Sequence, residues 1–87
     1  MKQIVFSSEA FEEFVEWSSV NKSIFLKISK LIKGIQRDPF VGIGEPEPLK
    51  HQFQGCWSRH ITSEHRLIYK LTDENIKIIS CKFHYKK

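Results

Sequence analysis

The stretch His65–Tyr85, HRLIYKLTDENIKIISCKFHY, decides the fold. It contains two runs of alternating character around a turn at Asp73-Glu74-Asn75. In the first run His65, Leu67, Tyr69 and Leu71 alternate with Arg66, Ile68 and Lys70. In the second, Ile79, Cys81, Phe83 and Tyr85 alternate with Ile78, Ser80, Lys82 and His84. A strand sends successive side chains to opposite faces. Each run therefore reads as a strand with one apolar face and one face that carries basic groups.

Upstream, CWSRHIT reads as another strand, bounded by Gly55 and by a turn at Ser63-Glu64. LKHQF, Leu49–Phe53, reads as a strand before it. Gly42, Gly44, Pro46 and Pro48 mark an ordered loop, in which the prolines should hold Glu45 and Glu47 extended. The first half is helical. Ser7 or Ser8 can cap a helix in which Phe11, Phe14, Val15 and Trp17 form one apolar stripe. Asn21 can cap a second helix, with Ile24, Ile28, Leu31, Ile32 and Ile35 on its buried side and a stop at Asp38-Pro39. The segment QIVF near the start reads as a strand. The order is β-α-α-β-β-β. This is an α+β fold, a helical hairpin packed on one face of a small, mostly antiparallel sheet.

The chain has 87 residues and reads as a single domain, 1–87. At that size only roughly 60–65% of the unfolded surface is buried, so the core is thin. A hydrophobic fraction of 40% argues against disorder. No apolar run approaches the ~20 residues of a membrane span and no signal peptide is visible, which points to the cytoplasm. Cys56 and Cys81 lack C-x-x-C spacing and read as reduced thiols. The four histidines have no zinc-like spacing with them, and neither a metal nor another cofactor is expected. A net charge of +4 favours an anionic partner.

The basic sheet face should gather Arg66, Lys70, Lys82 and His84. His60, which alternates with Ser58 and Thr62, and Lys50, which alternates with Gln52, can join it. The EPEP loop enters beside it. These residue types suit the cleavage of an RNA phosphodiester. A carboxylate can take the 2′-hydroxyl proton and a histidine can protonate the leaving 5′-oxygen. Arginine and lysine can hold the charge of the phosphorane.

The segment PFVGIGEPEPLKHQFQGCWSRHITSEHRLIYKLTDENIKIISCKFHY resembles the YoeB-type toxins of bacterial toxin–antitoxin systems, also called the Txe family, within the RelE superfamily. The shared motifs are G-x-G-x-PEPLKH, G-x-WSR-x-I-x-x-EHRL-x-Y and a closing C-x-x-HY; the preceding strand and helices fit too. The resemblance implies a RelE-like fold and an mRNA interferase that cuts in the ribosomal A site, leaving a 2′,3′-cyclic phosphate and a 5′-hydroxyl. It implies Glu47 as general base and His84 as general acid. Arg66 would hold the scissile phosphate and Tyr85 would position the RNA. Lys50 would add charge beside Glu47, and Arg59 would bind nucleic-acid backbone. Many relatives carry a second basic residue where this chain has His60, so fixed charge there is smaller. The resemblance further implies ribosomal RNA contacts, a cognate antitoxin of YefM/Axe type and a homodimer.

Two other functions compete. ParE-type relatives share the fold, act on gyrase and lack the acid–base set; Glu47, Arg66, His84 and Tyr85 together argue against that reading. A non-enzymatic nucleic-acid-binding module would need only the basic face.

Overall fold

The structure is a computed structural model that describes residues 2–83. The sites expected at His84 and Tyr85, and the lysine tail, lie outside the described residues.

Strand β1 (Gln3–Phe6) leads into α1 (Ser8–Val20). Ser7 is the cap. Its hydroxyl accepts the Ala10 N–H at 3.0 Å and donates to the Ile79 carbonyl, which ties the helix start to the sheet. Asn21 serves both helices. Its N–H donates to Trp17 O and closes α1, while its side chain accepts the Ile24 N–H and opens α2 (Lys22–Arg37). Asp38 ends α2, as Asp-Pro requires, and its Oδ1 accepts the N–H groups of Phe40 and Val41.

Beyond the loop come β2 (Glu47–Pro48), a 3-10 turn (His51–Phe53), β3 (Cys56–His60), β4 (Arg66–Leu71) and β5 (Asn75–Ser80). The sheet runs β1-β5-β4-β3-β2. β1 pairs parallel with β5, and the other pairs are antiparallel. The fold is thus α+β, with a five-stranded, mixed, mostly antiparallel sheet. Both helices contribute to a core on one sheet face. Ile28, Leu31 and Ile35 of α2 meet Leu67, Tyr69, Ile76 and Ile78 there, all within 1% of full burial. Trp17, 7% exposed, belongs to this core.

Four expectations need correction. LKHQF is not a strand: the strand β2 ends at Pro48, and His51, with φ +59, starts the 3-10 turn. Glu45 is not extended but left-handed, φ +53. It follows Gly44 at φ +84, so the chain turns before Pro46 rather than running straight through it. The α1 stripe is narrower than its sequence reads, since Phe11 and Val15 are 56% and 49% exposed while Ala10 takes the core position. In β5 the alternation shifts phase. Tyr69 pairs with Ile78 but Ile68 pairs with Ser80, so Ile79 is an extra residue, a β-bulge. Ile76 and Ile78 face the helices before the bulge, and Cys81 faces them after it. Ile78 is therefore a core residue, not a member of the basic face.

Candidate active site

Opposed residues of a ladder put their side chains on the same face. Glu47 pairs with Ser58, Ser58 with Ile68 and Ile68 with Ser80, which makes one row across four strands. One step along, His60 pairs with Arg66, and at the other end Cys56 pairs with Lys70. Leu67 and Tyr69 belong to the helix-side core. The row that holds Glu47, with His60, Arg66 and Lys70, thus lies on the face turned away from the helices. Glu47 and Arg66 stand on strands two spacings apart, about 10 Å across the sheet. Between them Ser58 and Ile68, each 1% exposed, form a low floor. Glu47 and Lys70 are exposed, and His60 and Arg66 are half-buried.

Two structures fix Glu47 in place. The first is backbone pairing on both sides of it: His60 N–H donates to Gly44 O at 2.7 Å, and Leu49 N–H to Cys56 O at 2.9 Å. The second is Arg59. This arginine is fully buried on the helix side of β3. Its Nε donates to Tyr69 Oη, its Nη1 to Ile43 O, and its Nη2 to Asp38 O at 2.7 Å and to Val41 O. Tyr69 Oη in turn donates to Pro39 O, and burial pushes its pKa up. The guanidinium therefore pins the loop 38–43 from beneath. The glycines of the G-x-G motif make room for it. A Cβ on Gly42 would lie 3.0 Å from Arg59 Nη1, and one on Gly44 only 2.8 Å from Leu31 Cδ2 and 3.1 Å from His60 O.

Arg59 is thus a correction to its expected role. A guanidinium buried at 0% exposure with its donors on carbonyls and a phenol cannot grip a phosphate. Strand alternation explains it: Arg59 sits between Ser58 and His60, and so on the face opposite theirs. Arg66 differs. Its Nη1 donates to Thr62 O, Ser63 O and His65 O, so the turn before β4 steadies a group that remains half-buried on the open face. Lys50 is exposed at the start of the 3-10 turn, outside any strand alternation. Lys82 is also placed elsewhere. It pairs with Glu16 Oε1 at 2.9 Å and lies over the rings of Trp17 and Phe83, beside α1 rather than with Arg66. Its hydrogen bond to Glu16 raises its pKa.

The segment leading to His84 is held residue by residue. Cys81 N–H donates to Glu13 Oε1 at 2.7 Å, and its carbonyl accepts Trp17 Nε1–H at 2.9 Å. Burial holds the Glu13 carboxyl above the usual carboxylate range and, with Glu13 beside it, pushes the Cys81 thiol up to about 12. Phe83 N–H donates to His65 Nδ1 at 2.7 Å, and Phe83 O accepts the Arg66 N–H at 3.1 Å. Sequence reasoning places His65 on the apolar face but misses this bond. The signal is there, because a buried imidazole among apolar neighbours needs a polar partner. Among the described residues, no three His, Cys, Asp or Glu side chains converge as a metal site requires.

Comparison with known proteins adds a family. The profile of the YoeB-like toxin of bacterial type II toxin–antitoxin systems matches residues 6–85. Toxin YoeB of Escherichia coli (strain K12) is 46% identical over 83 residues, 95% of this chain and 99% of that protein. The structure of a YoeB dimer from Staphylococcus aureus superposes with a TM-score of 0.90 at 45% identity, covering 97% of this chain and 98% of the other. A YoeB–YefM complex from the same organism gives 0.88 at 45% identity, covering 98% and 99%. The motif-bearing sheet face, its glycine loop and these full-length likenesses lead to one conclusion: the chain belongs to the YoeB-like toxins of bacterial type II toxin–antitoxin systems.

Proposed function

We propose that this toxin is a metal-independent endoribonuclease that cleaves mRNA in the ribosomal A site. The observation that carries the reading is the common face of Glu47, His60 and Arg66, with the chain held against Arg66 by Phe83 immediately before His84. Glu47 is the base that takes the 2′-hydroxyl proton. The freed oxygen attacks the adjacent phosphorus, the P–O5′ bond breaks, and His84 gives its proton to the departing 5′-oxygen. The products are a 2′,3′-cyclic phosphate and a 5′-hydroxyl. Arg66 holds the non-bridging oxygens as charge builds on them, and Tyr85 positions the RNA. A gap of about 10 Å between the strands of Glu47 and Arg66 accommodates one nucleotide over the Ser58–Ile68 floor. Lys50 adds charge beside the base, and His60 adds it only when protonated.

The relatives support two partners. A YefM-like antitoxin would bind and neutralise the protein, a reading supported by the YoeB–YefM complex from Staphylococcus aureus, and the YoeB dimer from that organism supports a homodimer here. The pairing of Glu47 and Arg66 on one sheet face favours RNA cleavage over the gyrase-directed alternative, which gives that pair no role.

Inducing the chain without an antitoxin and mapping mRNA 5′ ends tests the function. Cuts confined to translated mRNA, absent with His84→Ala, are expected. Intact mRNA with broken or relaxed DNA would contradict the proposal.

A further inference from the structure

We infer that His65 is a positioning residue for the reaction: the hydrogen bond that its Nδ1 accepts from Phe83 N–H sets the point from which the chain delivers His84. This role rests on the reading of His84 as the general acid. Phe83 has φ +59, a left-handed conformation that is unfavourable for a non-glycine residue. Something must impose it. Phe83 is 60% exposed, and the contact of its ring with the His65 ring, centroids 5.3 Å apart, restrains the side chain rather than the backbone. Its backbone is bonded at both ends instead, the N–H to His65 Nδ1 at 2.7 Å and the carbonyl to Arg66 N–H at 3.1 Å.

His65 is well placed to act as a fixed acceptor. It is 8% exposed, and the Trp17 ring meets it edge to face with centroids 4.9 Å apart. Its own N–H donates to Thr62 Oγ1, and its carbonyl accepts from Ile61 N–H and Arg66 Nη1. One residue thereby joins the turn that steadies Arg66 to the segment that ends at Phe83. The bond also fixes the tautomer, because an accepting Nδ1 puts the ring proton on Nε2. Residues 65 and 66 together would then control the spacing between the phosphate-holding guanidinium and the acid.

Two substitutions separate this role from plain packing. His65→Phe keeps an aromatic ring against Trp17 and removes the acceptor. His65→Asn keeps an acceptor near the Nδ1 position and removes the ring. Cleavage of mRNA on programmed ribosomes is measured under single turnover across ribosome concentrations. With His65→Phe the maximal rate should fall about 10–100-fold at an unchanged half-saturating concentration, whereas His65→Asn should stay within about threefold of wild type. Hydrogen exchange at the Phe83 amide should be fast in the first variant and slow in the second. The reverse order of activity, or equal loss in both with the Phe83 amide still protected, would overturn the role. The wild-type protein supplies an arm that needs no variant: NMR should find His65 as the Nε2–H tautomer, and an Nδ1–H tautomer overturns the inference. A wild-type protein that cuts nothing overturns the proposed function and this role with it. A wild type that cuts while His65→Phe cuts equally well overturns the role alone.

Discussion

At the scale of single residues, Arg59 and Arg66 show how little a residue type says about its job. Both are arginines in a basic protein, seven positions apart, and both lie in strands. Arg59 falls on the core side of β3, where four acceptors engage it. Arg66 falls on the open side of β4 and pairs in register with His60. Only the planar fork of an arginine reaches all the acceptors that Arg59 satisfies. Arg59→Lys should therefore cost about 2–5 kcal/mol, because buried carbonyls lose their donors. Urea unfolding measures this. Arg59→Gln, which removes the charge and is kept folded at low temperature, should leave the salt dependence of ribosome binding unchanged, since Arg59 neutralises no phosphate. A salt slope shallower by about one unit would mean that it does.

At the scale of elements, local chemistry was legible and long-range chemistry was not. Ser7, Asn21 and Asp38-Pro39 bound the two helices as read, because a cap acts on residues three or four positions away. The outer face of β4 was legible too, since Arg66, Ile68 and Lys70 alternate without interruption. The bulge at Ile79 was not, because it arises from pairing with β4 and leaves no mark in β5 alone. It moves Ile78 into the core and brings Cys81 to α1. There Glu13 receives the Cys81 N–H, a contact between residues 68 positions apart. The shortness of β2 has a similar cause: Lys50 and Gln52 alternate in sequence, yet the chain enters a 3-10 turn as soon as pairing with β3 ends.

The Glu13 contact also gives α1 a pH dependence. Burial raises its pKa in the folded chain above the unfolded value of 4.5. The folded state then holds the proton more tightly than the unfolded state. Glu13 therefore contributes its stability at low pH, and that contribution is lost as pH rises through the folded pKa. Glu13→Gln keeps an acceptor for Cys81 N–H and has no charge to desolvate. Its melting temperature relative to wild type should rise between about pH 4 and about pH 7. A constant or falling difference would show that burial of this carboxylate does not matter.

At the scale of the whole molecule, charge and shape divide by face and by element. Helix α1 carries Glu9, Glu12, Glu13 and Glu16 and no base, while α2 carries Lys22, Lys27, Lys30, Lys33 and Arg37 and no acid. The five cations of α2 are all exposed. Across the sheet, Lys70 and Lys77 stand directly opposite each other, an arrangement that repels unless an anion lies between or near them. This distribution suits a protein drawn to ribosomal RNA. In the proposed reaction, the face that carries Glu47 and Arg66 would supply the chemistry.

That acid–base chemistry is tested most directly with purified protein, ribosomes that present a defined codon in the A site, and analysis of the product ends. The wild-type protein is expected to leave a 2′,3′-cyclic phosphate and a 5′-hydroxyl. Arg66→Ala should cut about 10²–10³-fold more slowly and His84→Ala about 10²–10⁴-fold more slowly, both with ribosome binding retained. Cleavage at the wild-type rate by either variant, or products ending in a 3′-hydroxyl and a 5′-phosphate, would contradict it.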